Sequence, residues 1–136
     1  MLSAVVEHTE HARVAFIDTD IGGRIHFTAV FRWAEAAETG LYRKLGLIRE
    51  NRGAFPRRHV EADYLRVLTF EDQVEIRLRV DAIGRTSVGF VWDILHDGEV
   101  AVTGRHTIVQ VDDDGRPLPL DEQTRALLSG DEYQET

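Results

Sequence analysis

The sequence predicts an α+β architecture, one long helix packed on an antiparallel sheet, and three observations carry that prediction. First, Val30, Trp33, Ala37, Leu41 and Leu45 recur at helical spacing, while Arg32, Glu35, Glu38 and Arg43 fall largely off that stripe. Second, Val74, Ile76, Leu78 and Val80 alternate with Glu75, Arg77 and Arg79, the pattern of a strand with one wet face. Third, Asp97-Gly98 divides two apolar runs and reads as a tight hairpin turn. Sequential hairpins pair antiparallel, and a sheet with one helix needs its apolar face covered.

Taken in order, residues 12–17 read as a strand with Val14 and Phe16 on one face. A glycine-containing loop, 18–27, follows. The helix runs from Val30 to Leu45, with Thr28 as a capping residue at its start and Arg43, Lys44 and Gly46 closing it. Leu47 to Arg58, with Asn51, Gly53 and Pro56, is a connection. His59 to Leu65, residues 74–80, Val88 to Leu95 and Val100 to Val111 read as strands. Val88 to Leu95 is apolar on both faces apart from Gly89 and Asp93, which marks it as central. Ile83-Gly84-Arg85-Thr86 is a hairpin connection, Asp112 to Pro119 a polar loop, and Asp121 to Leu128 a short terminal helix. No repeat or linker divides the 136 residues, so 1–136 is expected to be a single domain.

Composition excludes several classes of function. A hydrophobic content of 43% with 29% charged residues suits a globular protein. The formal net charge of −8 argues against general nucleic-acid binding. The absence of cysteine removes disulfides, thiolate nucleophiles and zinc–thiolate sites. No apolar run approaches the ~20 residues of a membrane span, and the N-terminus lacks a signal-peptide profile, so a cytoplasmic location is expected. The histidines have no metal-ligand spacing, no metal or other cofactor is expected, and no Gly-x-Ser-x-Gly element is present. One sheet layer and one helix leave apolar surface to cover, so self-association is expected.

The densest chemistry lies in Asp18-Thr19-Asp20-Ile21-Gly22-Gly23-Arg24-Ile25-His26-Phe27, between the first strand and the long helix. A strand-to-helix junction can aim a carboxylate and free backbone N–H groups at one ligand. There is no phosphate-loop Lys-Ser or Lys-Thr after the glycines, so the chemistry suggested is carboxylate-assisted attack on a carbonyl.

This loop, together with Phe31-Arg32-Trp33-Ala34-Glu35-Ala36-Ala37, Leu45-Gly46-Leu47, Tyr64-Leu65-Arg66-Val67-Leu68-Thr69-Phe70-Glu71-Asp72, Ile83-Gly84-Arg85-Thr86-Ser87 and the strand containing His106, resembles the 4-hydroxybenzoyl-CoA thioesterase-like family of hotdog-fold acyl-CoA thioesterases. The resemblance spans roughly residues 11 to 120 and implies a hotdog fold, a long central helix wrapped by a curved antiparallel sheet of about five strands. It implies that Asp20 attacks the thioester carbonyl or activates a water. A backbone N–H near Gly22 or Gly23 would hold the oxyanion, aided by the helix dipole. It also implies a homodimer or homotetramer with sites between subunits, and CoA resting on basic residues; Arg57, Arg58, Arg66 and Arg85 are the candidates.

The chain departs from the family at Phe27, where many relatives carry His or Tyr, and at Ala29-Val30, where a small polar residue and Tyr are common. Its histidine comes one position earlier, at His26, Arg24 stands at a commonly apolar position, and Val67 replaces a common proline. His26 is a candidate catalytic partner. Arg24, Phe27, Trp33 and Glu35 are candidates for contact with the acyl group, and Asp18 for holding the loop. Three alternatives share the fold: a thioesterase acting on an acyl-carrier protein, a 3-hydroxyacyl thioester dehydratase pairing His26 with a helix glutamate, and a non-catalytic acyl-ligand binder.

Overall fold

A computed structural model describes residues 5–47 and 55–130. It contains strand β1 (Glu7–Arg13), a short 3-10 turn (Phe16–Asp18), helix α1 (Ala29–Leu45), strands β2 (Arg57–Tyr64), β3 (Gln73–Ile83), β4 (Ser87–His96) and β5 (Glu99–Val109), and helix α2 (Glu122–Ser129). The strands form one antiparallel sheet in the order β1-β3-β4-β5-β2, curved around α1 as a hotdog fold requires. β4 is central, as its doubly apolar sequence implies. β3–β4 and β4–β5 are hairpins. β2 leaves the sequential pattern: it crosses to the far edge and pairs with β5 rather than with β3.

The expected strand over 12–17 is displaced. The strand is Glu7–Arg13, and Phe16 and Ile17 leave it for the 3-10 turn, 81% and 80% exposed. Only Val14 of the apolar run is buried. β1 is an edge strand that reads as polar because its inward residues His8 and Glu10 pair with each other at 2.9 Å beside α1. α1 passes close to them at Gly40, where a Cβ would lie 2.3 Å from the His8 ring.

α1 follows its sequence pattern. Val30, Trp33, Ala37 and Leu41 are buried, and Gly46 closes the helix in the left-handed region at φ 72°. Thr28 stands at the N-cap position but its side chain makes no cap bond. Asp97 and Gly98, at φ 49° and 78°, form the expected primed turn. Asp121 caps α2 by accepting from Thr124 N–H at 2.7 Å. The inner face of the sheet stacks Leu78, Trp92 and Gly104 in one row, and Val80, Phe90 and His106 in the next. Part of the 47–58 connection, residues 48–54, lies outside the described residues.

Gly104 exists to admit Trp92. A Cβ at Gly104 would meet the Trp92 ring at 2.3 Å and the Glu61 carbonyl oxygen at 2.7 Å. The ring cannot swing aside without leaving the core, and the carbonyl is fixed by the sheet. Gly104→Ala is expected to destabilise the fold by about 1–3 kcal/mol through overpacking, measurable as a lower urea midpoint at unchanged m-value.

Residues on the inner face of β2 are Val60, Ala62 and Tyr64, opposite His106, Gly104 and Val102. α1 approaches β1 and β3 most closely, reaches β4 and β5 through Tyr42–Phe90 and Glu38–His106, and meets β2 at Arg57, leaving the rest of the inner face of β2 more open. Val60 and Tyr64 consequently remain 44% and 45% exposed. The end of β2 meets the glycine loop where it enters α1, the Tyr64 hydroxyl donating to the Phe27 carbonyl.

Candidate active site

Loop 18–28 is shaped by its own polar groups. Asp18 is buried and organises both ends: Oδ2 accepts from Ala15 N–H at 2.8 Å, its carbonyl accepts from His26 N–H at 2.7 Å, and Oδ1 pairs with Arg32 of α1 at 2.8 Å. Asp20 is exposed. Its Oδ1 accepts from Gly22 N–H at 2.8 Å, and its carbonyl accepts from Gly23 N–H at 3.0 Å. Gly23 adopts φ 78°, which favours glycine. Asp20 N–H donates to the Arg24 carbonyl at 2.8 Å, closing a small hairpin flanked by the Thr19–Ile25 bridge. Arg24 also bridges Thr69, so the loop is docked on the 65–72 segment.

This geometry revises the oxyanion expectation. The N–H groups of Gly22 and Gly23 are engaged by Asp20 itself and precede α1 by several residues. At the actual entry to the helix, Ala29 N–H donates to the His26 carbonyl at 2.9 Å, and Thr28 N–H to His26 Nδ1 at 3.3 Å. Phe27 N–H has no partner among the described residues and lies at the positive end of α1.

His26 uses Nδ1 locally. Nδ1 lies 2.7 Å from Thr28 Oγ1 and 3.3 Å from Thr28 N, so this nitrogen is occupied within the loop and Nε2 is the one left to face outward. The ring stacks on Phe27 with centroids 4.7 Å apart. The histidine–glutamate pair that a dehydratase needs is not assembled within one chain. Glu35 is exposed and faces Arg57 at 3.5 Å. Glu38 is directed elsewhere.

Glu38 corrects its solvated reading. It is 3% exposed because it lies on the apolar stripe, four residues after buried Ala34. His106 approaches its Oε1 at 2.7 Å, Arg57 lies 2.8 Å from the same oxygen, and the Tyr42 hydroxyl donates to Oε2 at 2.6 Å. The Trp92 indole can only donate, and its Nε1–H reaches His106 Nδ1 at 3.1 Å. His106 therefore carries its proton on Nε2, toward Glu38. Burial works to raise the Glu38 carboxyl. The donors from His106 and Tyr42 and the charge of Arg57 outweigh it and hold the group below its ordinary value.

The candidate ligand contacts separate. Trp33 is a buried core side chain. Arg57 belongs to the Glu38 network, and Arg66 pairs with Glu99 at 3.0 Å. Arg85 occupies the β3–β4 turn, at the far end of β3 from the Asp20 loop, roughly 30 Å away along the strand. Arg24 and Phe27 are exposed in the loop itself. Around them lie Phe16, Ile17, Ile21, Tyr64, Leu65, Val67 and Phe70, all exposed, with Phe16 edge-on to Phe70 at 6.3 Å. A broad groove of about 800 Å³ lies on the opposite face of the sheet, among Arg77, Arg79, Asp93 and Arg105. It is a solvated surface of ion pairs such as Arg105–Glu61 at 3.6 Å, and no residue of loop 18–28 lines it.

The fold and this loop define a hotdog protein of thioesterase type, and comparison with known proteins agrees. The chain belongs to the thioesterase-like superfamily, whose family model matches residues 10–128, and its class is thioester hydrolase. Similar solved structures include a 1,4-dihydroxy-2-naphthoyl-CoA thioesterase from Synechocystis (15% identity, TM-score 0.82, covering 90% of this chain and 95% of that one). A protein named as a predicted thioesterase from Bacillus stearothermophilus aligns at 26% identity and TM-score 0.83, over 96% and 99% of the two chains. A DHNA-CoA thioesterase from Staphylococcus aureus aligns at 21% identity and TM-score 0.80, over 85% and 81%. No curated protein of matching sequence was found. No described helix is long and apolar enough to cross a membrane.

Proposed function

We propose that the protein is a cytoplasmic acyl-CoA thioesterase in which Asp20 is the catalytic carboxylate and Phe27 N–H the oxyanion donor. The observation that carries this reading is an exposed carboxylate on a loop fixed by its own hydrogen bonds, followed by an unengaged amide at the N-terminus of α1. Asp20 either attacks the thioester carbon directly or takes a proton from an attacking water. As the tetrahedral oxyanion forms, Phe27 N–H and the helix dipole stabilise it. The C–S bond then breaks, the thiolate accepts a proton and CoA leaves; on the water route the free acid forms in this step, and on the direct route a water then hydrolyses the mixed anhydride on Asp20 to release the acid and restore the carboxylate. Arg24 and Arg58, which have no ion pair with other described residues, are the proposed contacts for the anionic nucleotide.

The exposed apolar residues around the loop form a patch of the kind that marks an interface. We propose that a second copy of the chain covers part of it, making the homodimer the functional unit and a pair of dimers the homotetramer. The rim is rich in aromatic rings: Phe16, Phe27, Tyr64 and Phe70. Aromatic acyl-CoAs are therefore expected to outrank long aliphatic ones. Thiol release measured across a panel of acyl-CoAs tests this. Absence of turnover on every thioester would sink the reading, and an aliphatic preference would sink the ranking.

A further inference from the structure

We propose that Tyr64 is a positioning residue for this reaction, its hydroxyl holding the Phe27–Thr28 peptide and so fixing the backbone of Phe27, whose N–H faces the reacting carbonyl. The inference rests on the thioesterase reading above. Tyr64 is the last residue of β2 and lies on the inner face of the sheet, beyond the cover of α1. Its hydroxyl donates to the Phe27 carbonyl, 37 residues away in sequence. This bond joins β2 to the entry of the helix.

The neighbours of Phe27 are fixed by other means. His26 N–H is held by Asp18, and Thr28 N–H and Ala29 N–H are held by His26. The Ala29 bond to the His26 carbonyl anchors the peptide that carries the Phe27 N–H, and Tyr64 anchors the following peptide through the Phe27 carbonyl; beyond these backbone bonds Phe27 has little to restrain it. Its side chain is 64% exposed, so packing within the chain does not hold it, and its ring meets the His26 ring. An oxyanion donor contributes to catalysis only when its position is preorganised, and a displacement on the order of 1 Å can cost ~10²-fold. A tether on the carbonyl of the residue whose N–H donates supplies that preorganisation without touching the substrate. The tether requires a protonated phenol. Burial holds the Tyr64 phenol above its ordinary range, so it donates throughout neutral and mildly alkaline pH.

The test is steady-state kinetics on the wild type and Tyr64→Phe, with melting curves and amide hydrogen exchange at Thr28 and Ala29. Tyr64→Phe removes one oxygen from a half-exposed edge and is expected to melt as the wild type does. Its kcat should fall by about 10- to 100-fold with KM nearly unchanged, because an oxyanion contact strengthens in the transition state. Exchange at Thr28 N–H and Ala29 N–H, whose bonds to His26 flank Phe27, should accelerate. An active wild type whose Tyr64→Phe variant retains kcat, or changes KM alone, overturns the proposal while leaving the thioesterase reading intact. A wild type inactive on every thioester overturns that reading, and the positioning role with it.

Discussion

Replacing Asp20 by Asn is expected to lower thioester turnover by ~10²-fold or more while leaving the fold intact. The substitution isolates the chemistry. Asp20 Oδ1 accepts from Gly22 N–H, and an asparagine oxygen can accept the same bond. The Gly23 and Arg24 bonds involve only the main chain of residue 20 and are retained. What disappears is the negative charge, and with it both direct attack and proton abstraction from water. Thiol release on the best substrate, measured beside a melting curve, decides the matter. Turnover that survives in a folded Asp20→Asn would remove Asp20 from the mechanism and direct attention to exposed Glu35. Glu38 is buried and engaged by three donors, so it is not the natural replacement.

The largest expected loss of stability follows from Glu38→Gln. The variant keeps the volume but removes the charge that Arg57, His106 and Tyr42 converge on. Removing one member of a buried ion pair typically costs about 3–5 kcal/mol. For a chain of this size that corresponds to a Tm lower by roughly 10–18 °C. The pH dependence has a definite sign. The Glu38 carboxyl is held below its ordinary value of 4.5 in the folded state. Its contribution is complete above that value and fades as pH falls through the lower folded value. Urea melts at pH 7 should therefore separate wild type from Glu38→Gln widely, and the gap should narrow near pH 3. A gap that stays constant with pH would show that the carboxylate charge is not what the network stabilises.

Much of this arrangement is legible in the residues. α1 declared itself because a helix must bury one stripe, and Val30, Trp33, Ala37 and Leu41 supply it. Asp97-Gly98 and Gly46 were legible because their backbone conformations favour glycine and few other residues. β1 was not, because an edge strand whose inward positions are His8 and Glu10 carries no apolar alternation. The partnership of β2 with β5 depends on pairing between residues 38 to 51 positions apart, which no local pattern encodes. Glu38 misled because charge normally marks the wet face of a helix; its position four residues after Ala34 was the signal that it belongs to the stripe. Asp20 stood out through its glycine-rich context. The hydrogen bonds that engage Gly22 and Gly23, and the unengaged Phe27 amide, depend on three-dimensional closure of the loop.

Loop 18–28 derives its shape from main-chain bonds, from the side chains of Asp18, Asp20 and His26 and from the Tyr64 hydroxyl on the Phe27 carbonyl, whereas the side chains of Phe16, Ile17 and Ile21 take no part in those bonds. On the mechanism proposed above, reaction and selectivity are thus written in separable parts of the molecule. Phe16, Ile17 and Ile21 can be exchanged for larger, smaller or more polar residues without re-forming the segment that carries the carboxylate. A lineage with this scaffold can drift from one acyl group to another by single steps, each leaving a working catalyst.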